Sequence, residues 1–131
     1  MKIRAYTESD LSALKQIHTA QNFDYAFPDL TNPLFVAKLV LADDVGEIAM
    51  AALARLTCEI YLLADPLHGT ARGRYANMLA LHQAAQNDLV AKGLEDAHAW
   101  LPPKIASRFG RRLAQLGWTR DDVWTPYSIR L

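Results

Sequence analysis

Residues 58–74, with the sequence CEIYLLADPLHGTARGR, decide the fold of this 131-residue chain. The apolar first part, residues 58–64, predicts a strand, which ends at Asp65-Pro66 because proline cannot donate to a neighbouring strand. The part rich in glycine and arginine leads into residues with helical spacing up to Gly93, where a glycine typically ends a helix. Residues 97–101 then predict a second strand. A strand–loop–helix–strand unit predicts two parallel strands joined by a right-handed crossover.

Upstream of this unit, the pattern predicts three more strands and one helix. Residues 34–42 and 47–54 flank an Asp-Asp-Val-Gly turn, which is typical of a hairpin. Because residues 58–64 follow at once, we expect the three strands to form a meander, so that the sheet is mixed. Residues 2–6 alternate in polarity and predict a first strand. Thr7, followed three residues later by Asp10, then predicts the start of a helix that extends to about Ala20.

Downstream, residues 104–116 predict a second amphipathic helix, ended by Gly117, and residues 118–131 predict one or two terminal strands. We therefore expect one mixed α/β domain over residues 1–131. Its central mixed sheet should have about six or seven strands, flanked by three main helices.

The composition excludes several classes of protein. Hydrophobic residues make up 51% and charged residues 21%, a globular composition, and 14 basic residues balance 14 acidic ones. The zero net charge argues against general binding to nucleic acid, and no apolar run is long enough for a membrane span. The single cysteine, Cys58, cannot form an internal disulfide. We expect a cytoplasmic protein without a metal site, whose oligomeric state, a homodimer included, stays open.

Three segments of the chain resemble the GNAT superfamily of acyl-CoA-dependent N-acyltransferases. They are residues 3–11 (IRAYTESDL), residues 59–66 (EIYLLADP), which match the family's fourth strand, and residues 116–118 (LGW), which match the close of its last helix. The order of the predicted elements agrees as well. In its general character the sequence also resembles small members of that family from phages and prophages. The resemblance implies a GNAT-like fold and acetyl-CoA as co-substrate.

In that family the loop after the fourth strand has the pattern Gln/Arg-x-x-Gly-x-Gly/Ala and binds the pyrophosphate of coenzyme A. This chain departs from the pattern, since Thr70-x-x-Gly73 is followed by the bulky Tyr75, and His68-x-x-Ala71-x-Gly73 lacks the leading Gln or Arg. The general physics still applies, because a helix N-terminus offers unpaired N–H donors and partial positive charge. The predicted coenzyme A site consists of the strand backbone and this loop: Leu62, Leu63, Ala64, His68, Gly69, Thr70, Ala71, Arg72, Gly73 and Arg74.

The resemblance also implies the catalytic groups. Glu59 occupies the place of a glutamate general base, and backbone groups around Leu63 would polarise the thioester carbonyl. Where many family members have a proton-donating tyrosine on the last helix, this chain has Leu113. We assign the general acid to Tyr127, with Tyr61 and His98 as alternatives.

The acceptor is expected to bind at the loop of residues 21–33, which contains Phe23, Tyr25 and Phe27. These aromatics line a pocket or, alternatively, attach the loop to the core. A basic face on the last helix (Lys104, Arg108, Arg111 and Arg112) is either a solvated surface or suited to the phosphates of coenzyme A.

The predicted function is transfer of an acetyl group from acetyl-CoA to a primary amine of a small molecule or protein, by direct attack. The alternative is a catalytically inactive GNAT-fold module that binds a protein or senses an acyl-CoA. A third, weaker reading is modification of nucleic acid.

Overall fold

The computed structural model describes all residues, 1–131, and contains three α-helices and five strands. The predicted mixed α/β class with three helices is confirmed. The predicted six or seven strands are not found, because residues 118–131 form no strand. The chain divides into two compact units, Met1–His98 and Ala99–Leu131.

The first unit begins with an antiparallel sheet of three strands in the order β1-β2-β3. They are β1 (Lys2–Ala5), β2 (Phe35–Ala42) and β3 (Ile48–Arg55). The predicted hairpin between β2 and β3 is confirmed, and Asp43 closes its turn. The Asp43 Oδ1 accepts hydrogen bonds from the N–H groups of Val45 and Glu47, at 3.0 and 2.8 Å.

The core lies between this sheet and helix α1 (Leu11–Gln21). Leu14 of α1 packs with Leu30 and with Val40 of β2, which is 1% exposed. The predicted pair at the start of the helix also forms. The Thr7 N–H donates to Asp10 Oδ2 at 2.8 Å, although Thr7 caps a 3₁₀ turn that runs directly into α1. The buried Asp10 accepts two further bonds of 2.8 Å from the Arg4 guanidinium of β1, so that strand and helix are joined by charge.

A second, parallel sheet consists of β4 (Cys58–Glu59) and β5 (Ala97–His98). The predicted parallel pair with a helical crossover is confirmed, but the predicted meander is wrong, since β4 does not join β3. Contacts just before β4 show why. The Arg55 guanidinium forms ion pairs with Glu95 and Asp96, at 2.8 and 3.0 Å, which attach the end of β3 to the start of β5. The chain therefore enters β4 beside β5. The predicted strand over residues 58–64 is also too long, because pairing stops after its first residues.

The crossover helix α2 (Ala71–Ala91) ends at Gly93, as predicted. Gly93 has φ of 84°, a left-handed conformation that glycine adopts without a steric penalty. The N–H of Gly93 donates to Val90 O and the N–H of Leu94 to Leu89 O, at 3.0 and 3.1 Å. These two bonds satisfy carbonyl groups that the end of a helix leaves unpaired.

The second unit contains helix α3 (Pro103–Gln115), followed by Gly117 and an irregular segment. The prediction of one or two terminal strands is wrong, because no strand follows α3. Residues 118–131 include Pro126, which lacks an N–H, and Asp121 and Asp122, a residue type depleted in strands. Arg120 Nε instead forms a local ion pair with Asp122 Oδ1 at 2.6 Å. None of the helices combines the length and the apolar composition that a membrane span requires.

Candidate functional site

The candidate site begins where strand β4 separates from β5. Cys58 and Glu59 are in register with Ala97 and His98, and the pairing ends with the Ile60 N–H donating to His98 O at 2.8 Å. Residues 60–65 then continue as neither helix nor strand. Backbone that leaves a ladder in this way presents N–H and C=O groups that an extended ligand could pair with.

Glu59 and His98 share one face of the ladder at this point, and Tyr61 follows the ladder in sequence. Glu59 is in register with His98 across the ladder, and parallel strands place side chains in register on the same face. Tyr61 lies two residues after Glu59, in the irregular segment, and is 76% exposed. A hydrogen bond from the phenol to the Glu59 carboxylate, together with the negative charge of that carboxylate, raises the pKa of Tyr61.

The segment between β4 and α2 has a braced conformation. Asp65 Oδ1 accepts a hydrogen bond of 2.9 Å from the Leu67 N–H, which makes a turn at Asp65-Pro66. The Arg74 guanidinium, reaching back from the first turn of α2, donates to the carbonyls of His68 and Gly69 at 3.2 and 3.0 Å. Gly69 has φ of 64°, which an L side chain would strain. Arg74 therefore holds the shape of the loop.

The N-terminus of α2 lies at the end of this loop, and Thr70 is its N-cap. The Thr70 Oγ1 accepts a bond of 3.0 Å from the Gly73 N–H, and the Arg74 N–H donates to Thr70 O at 2.9 Å. Helix geometry gives the N–H groups of Ala71 and Arg72 no partner inside the helix. A side chain at Gly73 would place its Cβ 3.1 Å from Thr70 Oγ1, so the capping side chain would have to shift by a few tenths of an ångström.

The predicted coenzyme A residues are thus contiguous and open to solvent. Leu62, Leu63 and Ala64 form the irregular segment after β4, and Leu63 is 91% exposed. Residues 65–72 are exposed as well, and Gly73 and Arg74 are half-buried. The arrangement offers an extended backbone that leads to a helix N-terminus, a combination that suits an arm ending in phosphate.

The three predicted acceptor-loop aromatics have two different environments. Phe23 and Tyr25 are exposed and stack at 6.2 Å between ring centroids, with 22° between the ring planes. Phe27 packs against the core cluster. His18 of α1 lies edge-on to both Tyr25 and Phe27, at 5.0 and 5.6 Å. Phe23 and Tyr25 therefore lie at the surface, and Phe27 attaches the loop to the core.

The remaining predicted residues belong to the second unit. Tyr127 lies in the irregular segment after α3 and is 94% exposed. The basic residues of α3 are exposed, and the helix carries them on one side, apart from the half-buried Phe109 and Leu113.

A polar cluster lies at the other end of β5, and no sequence pattern predicted it. Besides the two ion pairs of Arg55, Glu95 Oε1 accepts a hydrogen bond of 2.8 Å from Asn32 Nδ2. Asn32 lies at the end of the aromatic loop, so this cluster connects that loop to the strand that carries His98. These residues are far apart in sequence, and only the pairing of β4 with β5 brings them together.

The structure places no group of three or more His, Cys, Asp and Glu side chains so that they could hold a metal ion. Comparison of this chain with family models, curated proteins and solved structures returns no match.

Proposed function

We propose that this chain is a GNAT-like N-acetyltransferase that transfers the acetyl group of acetyl-CoA to a primary amine. One observation carries the proposal. A parallel strand pair ends at Ile60, and the freed strand continues through an open, braced loop to the N-terminus of a long helix. An acyl thioester on a long arm with a diphosphate at its far end matches this sequence of features.

Each part of the loop and of the helix N-terminus would bind a different part of coenzyme A. The N–H groups of Ala71 and Arg72, with the Arg72 side chain, would bind pyrophosphate oxygens at the positive end of the α2 dipole. The backbone of residues 62–64 would pair with the amide groups of the pantetheine arm. Arg74 contributes through the loop, because its guanidinium is already bonded to the carbonyls of His68 and Gly69.

Glu59 would act as the general base for the attacking amine. Its carboxylate lies where β4 parts from β5, beside the chain that would hold the thioester. The amine attacks the carbonyl carbon directly, the new C–N bond forms, and the C–S bond breaks to release coenzyme A. Phe23 and Tyr25 would bind the acceptor through their exposed ring faces.

A thermal shift experiment tests coenzyme A binding. Acetyl-CoA should raise the melting temperature of the chain, since a ligand that binds only the folded state stabilises it by mass action. The informative variant is Ala71→Asp. An acidic residue in the first turn stabilises the helix by about 0.5 kcal/mol through the dipole, yet it repels a phosphate. The variant should therefore melt no lower than wild type and lose the shift with acetyl-CoA.

Ala80→Asp, in the exposed middle of α2, is the matched control. It adds the same charge to the same helix and should keep the ligand-induced shift. If both variants respond to acetyl-CoA like wild type, the phosphate site is not at the helix N-terminus.

Turnover is tested by release of free thiol from acetyl-CoA with a panel of primary amines. Glu59→Gln should lower the rate by about 100-fold, the usual effect of losing a general base. Binding of acetyl-CoA without turnover by wild type would favour the alternative, an inactive acyl-CoA-sensing module. Absence of both binding and turnover would refute the acetyl-CoA proposal.

A further inference from the structure

Strand β3 forms an open edge of the first sheet. The order β1-β2-β3 gives it one neighbouring strand, β2, and β4 pairs with β5 instead. Ala51, Ala52 and Ala54 of β3 are exposed. Because the open side of an edge strand carries unpaired backbone N–H and C=O groups, it is a template for a further strand.

The hydrogen bonds of the sheet show which backbone groups face this edge. The Tyr6 N–H donates to Lys38 O at 3.0 Å, so the backbone groups of Lys38 face β1. Successive residues of a strand alternate in this direction, so those of the next residue face β3, where that residue is in register with Ala52. Ala52 therefore bonds to β2, and the N–H and C=O groups of its neighbours Ala51 and Leu53 point toward the open edge.

The two edges of the sheet differ in length and in charge. β1 has four residues, which include Lys2 and Arg4, and a short, charged edge resists pairing with another chain. β3 has eight residues, and residues 48–54 include no charged side chain and no proline. β3 is therefore the edge that lacks the usual protection against pairing.

We propose that β3 pairs in antiparallel orientation with β3 of a second copy of this chain, so that two three-stranded sheets become one continuous sheet. A two-fold axis brings the same edge of both copies together, so that each outward N–H meets a C=O. The 14 basic residues of the chain balance its 14 acidic ones, so two copies do not repel each other through net charge. A charged peptide would gain no ion pair along residues 48–54. The pairing uses none of residues 58–74, so it holds whether or not the chain binds acetyl-CoA.

The regular part of β3 sets the register of the pair. Register shifts interrupt the β2–β3 ladder near both ends and leave an uninterrupted stretch over residues 50–54, with Ala52 at its centre. With the two-fold axis at Ala52, the outward groups of Ala51 lie opposite those of Leu53 of the partner subunit, and the reverse. These two pairs make about four hydrogen bonds, and the two copies of Ala52 lie directly opposite each other with their Cα atoms about 4.5 Å apart.

The size of the interface sets the expected strength of the dimer. One strand of each copy takes part, so we expect the buried area to lie at or below the roughly 1,200 Å² that marks the lower limit of stable complexes. The dimer should therefore be weak, with a Kd of about 10–100 µM. Sedimentation equilibrium of the full chain from about 5 to 500 µM covers this range.

Charge substitutions at Ala52 test the pairing and its register. Ala52→Lys and Ala52→Glu each place two like charges opposite each other across the axis, which destabilises a strand pair. Each variant alone should dimerise at least about tenfold more weakly than wild type. An equimolar mixture of the two should form a dimer at least as tight as that of wild type, because lysine then faces glutamate.

Ala5→Lys is the matched control. Ala5 and Ala52 are both exposed and both in register with Leu39, so they lie on the same face of the sheet. Ala5 belongs to β1, two strands away from the open edge. This variant adds the same charge to the same face and should dimerise as wild type does. Circular dichroism checks that all variants fold.

A second variant tests the backbone groups themselves. Ala51→Pro removes an N–H that faces the open edge and that β2 does not use, so the sheet should form while the dimer weakens. Wild type that stays monomeric up to about 500 µM would overturn the second copy as the occupant of this edge. A mixture of the Ala52 variants no tighter than either one alone, or a Kd unchanged by Ala51→Pro, would overturn the pairing of β3 with β3.

Discussion

At the residue scale, two carboxylates of the chain lie in contrasting surroundings. Asp10 is buried and accepts hydrogen bonds from Arg4 and Thr7. The Arg4 guanidinium therefore balances the negative charge of the Asp10 carboxylate. Glu59 lies at the end of a short ladder in register with His98, and its carboxylate raises the pKa of Tyr61. Its role as general base stays a proposal, whereas the burial and bonding of Asp10 make that residue structural.

The stability of the chain should depend on the ionisation of Asp10. The two hydrogen bonds from Arg4, with the Thr7 N–H, hold the pKa of Asp10 well below its usual value of 3.8. A depressed folded-state pKa contributes stability above the unfolded-state pKa, and this contribution is lost as the pH falls below it. The urea midpoint should therefore fall steeply below about pH 4. Asp10→Asn should be less stable than wild type at pH 7 and show a smaller fall. An equal fall in both proteins would mean that other groups control acid unfolding.

A second residue-scale prediction concerns the cap of α2. Thr70→Ala removes the acceptor of the Gly73 N–H and should destabilise the start of the helix by about 1 kcal/mol. Amide hydrogen exchange in the first turn of α2 should become faster, while the β2–β3 amides keep their rates. Thr70→Ser keeps the hydroxyl and should exchange as wild type does. Unchanged protection in Thr70→Ala would show that the cap contributes nothing.

At the element scale, helices and turns agree with the sequence and the strands agree only in part. A helix is specified by its own residues: Thr7 and Thr70 start helices, and Gly93 and Gly117 end them, all within one or two turns. Strand pairing depends on residues far away. The predicted strand covers residues 58–64, yet only Cys58 and Glu59 pair with β5. The ion pairs of Arg55 with Glu95 and Asp96 bring the start of β4 beside β5. No local sequence pattern predicts these ion pairs.

The packing of α1 on the first sheet gives a prediction at this scale. Leu14 is buried against Leu30 and Val40, so Leu14→Ala should lower the free energy of unfolding by about 3 kcal/mol through lost burial and the cavity left behind. Val36→Ala, an exposed position on β2, should change it by less than about 0.5 kcal/mol. Chemical denaturation of both variants measures this. Similar effects at the two positions would contradict the assignment of the core.

At the scale of the whole molecule, the sequence predicts the class and the helices, but not the number of strands. The failure at residues 118–131 has a physical cause, since aromatic and β-branched residues there favour a strand only where a neighbouring strand exists to pair with. The loop that leads into α2 was predictable from the sequence, and the role of Glu59 stays a prediction. The register of His98 with Glu59 depends on pairing between distant strands, which no local pattern predicts.

The balance of charge gives a prediction for the whole chain. With 14 basic and 14 acidic residues and an isoelectric point of about 6.9, the chain has little net repulsion at neutral pH. Molecules without net charge associate more readily, so solubility should be lowest near pH 7 and rise toward pH 9. Static light scattering across this range tests it. A scattering minimum at pH 7 would contradict the expectation.

The brevity of the β4–β5 ladder has a consequence for the order of folding. The β2–β3 hairpin is closed by a five-residue connection, whereas β4 meets β5 only after the chain has passed through the whole of α2. Closing the longer loop costs more entropy, and two paired residues return little for it. The hairpin therefore belongs to the folding nucleus, and the strand pair that carries Glu59 and His98 assembles late. We therefore expect the β4–β5 ladder to open more readily than the β2–β3 hairpin in the native state.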